Sequence, residues 1–100
     1  MTVRTLTVHD LTVTPTSAAH AAEQVRAGRE RIDALDAELV RLITERAAVS
    51  ASVQSARRAV GGPRVVQSRE VEVVGRWRDA LGRPGRTIAL ALLELGRGPL

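Results

Sequence analysis

Between Ser17 and Val60 the chain contains no proline and a single glycine, Gly28, and its apolar residues recur at every seventh position. Val25, Ile32, Leu39, Val53 and Val60 form one series; Leu35, Leu42, Val49 and Ala56 form a second, three residues later. Two series with that offset present one narrow apolar seam along a helix. The pattern predicts a helix from Ser17 to Val60, ~66 Å long at 1.5 Å per residue, opened by a cap at Thr16 or Ser17. Gly61-Gly62-Pro63 stops it. A second helix is predicted to open near Gln67 or Ser68, with Glu70 in its first turn and Val71, Val74, Trp77 and Leu81 as its apolar face, and to end at Gly82. A third is predicted to open after Pro84 or Thr87. It carries Ile88, Leu90, Leu92, Leu93 and Leu95 and stops at Gly96-Arg97-Gly98-Pro99. The fold class is all-α: three helices, the first very long.

That length bears on assembly. The chain has 100 residues, one domain at most, and a compact domain of that size has a radius of gyration of ~13 Å. The roughly forty residues after the first helix cannot wrap a rod of that length. A second copy is the simplest cover for the seam, so an intertwined homodimer is expected. Residues 1–16, in which Thr alternates with Val or Leu up to Thr14, are expected to be a disordered tail, leaving 17–100 as the helical domain.

Composition removes several kinds of chemistry. The chain has no cysteine, and its two histidines, His9 and His20, lie near the N-terminus. Disulfides, thiolate sites and a histidine-rich metal site are excluded, and no metal or cofactor is expected. No apolar run approaches the ~18 residues that suggest a membrane span, and no signal-peptide pattern opens the chain, which makes a cytoplasmic protein the default. The net charge is +4, and all fifteen basic residues are Arg. Those charges are spread among eleven acids, and Trp77 is the one aromatic residue. A dedicated phosphate-binding face and stacking platforms are therefore missing, and no nucleic-acid partner is expected.

One residue breaks the seam. The first series runs Val25, Ile32, Leu39, Arg46, Val53, Val60, which puts a cation at a core position. A buried charge costs several kcal/mol unless paired. Arg46 is a register-setting polar residue, one half of an intramolecular salt bridge, or a group facing an anionic ligand inside the bundle. Arg57 favours the ligand: eleven residues on, it returns to within ~20° of the same helix face, ~16 Å away along the axis. Two such cations frame a pocket for a small dianion. Arg29 lies ~25 Å before Arg46. It is either a surface residue paired with Asp33 or a contribution to a site on the partner chain. Arg69 and Glu70 open the second helix. Glu70 is either a favourable helix-end charge or a hydrogen-bond acceptor at the rim of the same cavity.

The stretch Arg29 to Arg46, RERIDALDAELVRLITER, resembles the first-helix signature of the all-α chorismate mutases. Arg57, the turn and Arg69-Glu70 continue the likeness in order, and LALLELGRG resembles the short intracellular branch of that family. The likeness covers Arg26 to Gly98. It implies a dimer with crossing first helices and two sites, each drawing on both chains, that rearrange chorismate to prephenate in phenylalanine and tyrosine biosynthesis. The resemblance further implies that Arg29 of the partner and Arg46 bind the two carboxylates, and that Arg57 stands beside the breaking ether bond. By the same resemblance, Arg69 and Val66 are expected to line the pocket and Glu70 to accept a hydrogen bond from the ring hydroxyl. Arg97 falls where well-studied members place a Gln at the ether oxygen, and Leu93 where they place a Ser, a pattern shared by the short branch. Members of that branch are activated by the first enzyme of the aromatic pathway, DAHP synthase, through loop and C-terminal contacts. The Gly98-Pro99-Leu100 end is shorter than that branch's usual tail.

The implied reaction is intramolecular and pericyclic and needs no nucleophile, metal or proton relay. The residues leave rivals open: an isochorismate-pyruvate lyase or an aminodeoxychorismate mutase on the same scaffold, a non-catalytic helical regulatory subunit, and a basic coiled coil that binds nucleic acid. The last explains the charge but not Arg46 in the seam.

Overall fold

The computed structural model describes residues 15–63 and 65–98. They form three α-helices: α1 (Pro15–Ala59), α2 (Gln67–Leu81) and α3 (Arg83–Arg97). Among the described residues there is no strand. Helix α1 opens two residues earlier than the pattern suggested, so Thr16 and Ser17 lie inside it and do not cap it. Pro15 suits a first helical position, since its missing N–H has no intrahelical acceptor to lose. The expected tail falls, up to Thr14, outside the described residues.

The chain divides into two compact units, Met1–Glu38 and Leu39–Leu100. In the first, Arg26 pairs with Glu23 and, at 2.6 Å, with Glu30, one helical turn to either side. Val25, Ile32 and Leu35 of the seam are exposed there. No helix is long and apolar enough to cross a membrane among the described residues.

The second unit is shaped by glycines. Helix α1 ends in a Schellman motif: Gly61 has φ +75°, its N–H donates to the Arg58 carbonyl at 3.0 Å, and the Gly62 N–H donates to the Arg57 carbonyl at 2.8 Å. Gly82 (φ +74°) ends α2 by donating to the Arg78 carbonyl at 2.7 Å, while its own carbonyl accepts from Gly85 at 2.9 Å and starts α3. One residue thus joins two helices, and α3 begins at Arg83, ahead of the expected Pro84 or Thr87.

The core is small. Val73, Ala89 and Leu92 are its buried apolar side chains, with Gly85 and Gly96 also buried. A Cβ on Gly85 would clash with the Trp77 carbonyl oxygen, and one on Gly96 would lie 2.7 Å from Ser50 Oγ. The start of α3 therefore touches α2 backbone to backbone, and its end rests on α1, where Ser50 Oγ donates to the Gly96 carbonyl at 3.3 Å.

Two apolar faces differ from the sequence pattern. On α2, Val71 is 71% and Leu81 54% exposed, while Val73, outside the expected face, is buried. The stripe turned inward is Val66, Glu70, Val73 and Trp77, and an acid within it breaks its apolar pattern. On α3 the close approach to α2 and α1 selects small residues, so Ile88, Leu90 and Leu95 stay exposed beside buried Gly85, Ala89 and Gly96.

Gly85→Ala should be strongly destabilising, because its methyl group meets a carbonyl that cannot yield. A cost of about 1–3 kcal/mol lowers the melting temperature by roughly 4–8 °C per kcal/mol. Gly75→Ala, whose Cβ would meet nothing closer than an Arg78 side-chain nitrogen at 3.8 Å, should raise it slightly, since alanine is the better helix former. Calorimetry on the two variants checks the pair; equal shifts would contradict the packing.

Candidate active site

The second unit holds a pocket of about 480 Å³. Helix α1 supplies Leu42, Glu45, Arg46, Val49, Ser50, Val53, Gln54 and Arg57 to its wall. The turn and α2 supply Val66, Arg69, Glu70 and Val73, and α3 supplies Leu93 and Arg97. Seven of the eight residues singled out from sequence thus line one cavity: Arg46, Arg57, Val66, Arg69, Glu70, Leu93 and Arg97. The eighth, Arg29, is in the other unit, on a shallow groove with Ala21, Ala22, Val25, Arg26, Glu30 and Asp33.

Local structure places each group. Arg46, Ser50, Gln54 and Arg57 follow at spacings of four, four and three, which puts them on one face of α1. Arg57 is in the last turn of α1, and the glycine motif that closes the helix is anchored on its carbonyl. Val66 is the N-cap residue of α2, extended at φ −112° and ψ 103°, and its carbonyl accepts the Glu70 N–H at 3.1 Å. That bond holds the first turn of α2 and points Glu70 along the stripe that faces α1 and α3.

The electrostatics are uneven. Arg97 Nη1 donates to Glu70 Oε2 at 2.6 Å, and the two side chains are only 24% and 25% exposed. Arg69 pairs with Glu72 at 2.5 Å on the exposed side of α2, and Glu45 pairs with Arg41 at 3.4 Å along α1. Arg46 and Arg57 have no ion pair with any described residue, although both are half-buried and line the cavity. The internal salt bridge considered for Arg46 is therefore not formed among the described residues, nor is the Arg29–Asp33 surface pair. Two uncompensated guanidinium groups and a carboxylate held by an arginine fit a dianion that also carries a hydrogen-bond donor.

A family model described as Chorismate mutase type II matches residues 28–89. The chain is 49% identical over 72 residues to the intracellular chorismate mutase of Mycolicibacterium smegmatis, covering 72% of this chain and 69% of that protein. It is 50% identical over 72 residues to the intracellular chorismate mutase of Mycobacterium tuberculosis (strain ATCC 25618 / H37Rv), with 72% and 68% covered. This chain belongs to the type II chorismate mutase family. Its fold matches a chain in a solved non-covalent complex of DAHP synthase and chorismate mutase from Corynebacterium glutamicum with a bound transition state analog. The TM-score is 0.76 at 32% identity, over 80% of this chain and 96% of that one. Leu93 and Arg97 lie beyond the stretch that the family model matches.

Ser50, Gln54 and Val73 also line the pocket and were not singled out from sequence. The signal that could have found the first two is the polar stripe from Arg46 to Arg57, which runs beside the apolar seam.

The Arg97–Glu70 bridge should be measurable. In a double-mutant cycle of Arg97→Ala and Glu70→Ala followed by urea unfolding, the coupling should be about 1 kcal/mol, reduced from the fully buried value because water reaches both groups. Additive single effects would show that the bridge contributes nothing to stability.

Proposed function

We propose that the pocket of Leu39–Leu100 is the chorismate site, completed by Arg29 of a second copy. As a member of its family the chain is a chorismate mutase, an isomerase, and the chemistry is the rearrangement of chorismate to prephenate. One ether C–O bond breaks and one C–C bond forms within a single molecule, so no proton, electron or group is exchanged with the protein. The protein's work is to hold a compact reactive shape and to stabilise charge as the ether bond breaks.

The observation that carries this reading is the pair of unpaired cations, Arg46 and Arg57, on one wall with Glu70 opposite on α2. Arg46 takes one carboxylate, bidentate by virtue of its fork. Arg57 stands at the ether oxygen, where negative charge grows. Glu70 accepts the hydrogen bond of the ring hydroxyl. Its bridge to Arg97 leaves acceptor capacity, since a carboxylate has about four lone-pair positions. Arg97 therefore acts on Glu70 and not on the ether oxygen. Arg69 and Val66 shape the mouth, and Leu93 supplies apolar wall.

The second carboxylate needs a further cation, and Arg29 lines no part of this pocket. The seam residues Val25, Ile32, Leu35, Leu39, Leu42, Val49, Val53 and Val60 are all exposed in the single chain. A second copy laid on that seam buries them and brings its own Arg29. Intertwined first helices are the arrangement that serves both needs. The word intracellular in the relatives' names supports a cytoplasmic location, and the solved complex supports a DAHP synthase as partner. The Arg97–Glu70 bridge offers such a partner a direct route: contact at the C-terminal segment reaches the acid through a single side chain.

Shared sites have a distinctive consequence. Arg29→Ala and Arg57→Ala should each abolish chorismate depletion. In a mixed dimer one site collects both defects and the other none. Random co-assembly makes half the dimers mixed, so co-expression should restore about a quarter of wild-type activity. A mixture as inactive as its parents, with heterodimers demonstrated by mass spectrometry, would refute a site shared between chains.

A further inference from the structure

We infer that Gln54 is a substrate-binding residue of this pocket: its side-chain amide donates a hydrogen bond to an oxygen of the dianion held between Arg46 and Arg57. The inference rests on the reading of the pocket as the chorismate site.

Gln54 is 9% exposed and is the buried polar side chain of the described residues, yet it lines the cavity. No described residue hydrogen-bonds its amide. Buried amides in folded proteins are nearly always satisfied, and one left without a partner destabilises the fold that holds it. An unpartnered amide facing a cavity is explained when the partner is the occupant of that cavity. Its neighbours say what the occupant offers. Gln54 lies one turn from Arg57 and two turns from Arg46 on the same face of α1. A molecule drawn to those two cations presents carboxylate and ether oxygens, which accept and do not donate. The NH₂ end of the amide supplies the matching donor. Ser50, the other uncharged polar residue of that face, is already engaged with the Gly96 carbonyl at 3.3 Å. Gln54 is thus the neutral donor of the stripe that the fold leaves uncommitted. Position on α1 sets it against the same part of the substrate as the two arginines and apart from Glu70, which reads the hydroxyl.

The test separates binding from folding. Gln54→Leu removes the amide at similar volume. Its melting temperature should equal or exceed that of the wild type, because the unpartnered group is gone. Its Kd for an inert dicarboxylate analogue of the transition state, measured calorimetrically, should rise at least about tenfold, the effect of one hydrogen bond to a charged acceptor. Gln54→Glu should bind the analogue more weakly still at neutral pH, because a second negative charge meets the dianion. Gln54→Met, closer in length, replaces the Leu variant if that one fails to fold. Variants that bind the analogue and turn over chorismate like the wild type would overturn the proposal and reduce Gln54 to a filler of space. So would the collapse of both apolar variants, which would make the amide a structural group. Failure of the wild type itself to bind the analogue would overturn the assignment of the pocket instead.

Discussion

A cation set into an apolar seam and left without an internal partner governs the rest of this molecule. Arg46 interrupts a heptad series that runs from Val25 to Val60, and no described acid answers it. Leucine at that position would extend the seam and add to stability, as replacing buried charges by apolar residues commonly does. The fold tolerates the charge because the position opens onto a cavity. Arg57 repeats the arrangement three turns later, at the end of α1. The two cations make the pocket attractive to a dianion and unattractive to neutral molecules. A pericyclic reaction suits such a pocket, since it asks only for shape and fixed charge.

The remaining wall depends on how closely α3 can approach. Gly85 lets α3 meet the α2 backbone at Trp77, and Gly96 lets it meet α1 at Ser50. Larger residues at either point would push the helix out and take Leu93 and Arg97 with it. Arg97 then reaches Glu70, and a residue at the end of the chain's last helix fixes an acid in the first turn of the second. The positive-φ glycines Gly61 and Gly82 set the two turns that make this geometry possible. Small residues with no chemistry of their own thus determine where the charged ones stand.

Much of this was legible in the sequence. The seven-residue repeat announced α1, and Gly61-Gly62-Pro63 and Gly82 marked the breaks. Arg46 was legible because a charge in an apolar series is conspicuous, and Arg57 because helical spacing returns it to the same face. The buried face of α2 was not, since Glu70 sits within it and exposed Val71 and Leu81 mimic an amphipathic stripe. Nor was most of the packing of α3: Leu92 is buried as expected, but the other buried positions are Gly85, Ala89 and Gly96, while the larger Ile88, Leu90 and Leu95 remain outside. A count of hydrophobic residues weighs those in the wrong order. The Arg97–Glu70 bridge joins residues 27 apart in the chain, and no local spacing rule connects them. Gln54 escaped notice because a lone amide beside Val53 resembles the polar edge of any helix.

The most direct test of the central claim, that Arg46 is reserved for an anionic ligand, is the thermal stability of the wild type and of Arg46→Met with and without the inert dicarboxylate analogue. Ligand at a hundred times its Kd should stabilise the wild type by about 2.7 kcal/mol, a rise of roughly 10–20 °C for a domain of this size. Arg46→Met should melt at or above the unliganded wild type and show almost no rise with ligand. A variant that melts far lower without ligand, or that keeps the full ligand-induced rise, would contradict the account.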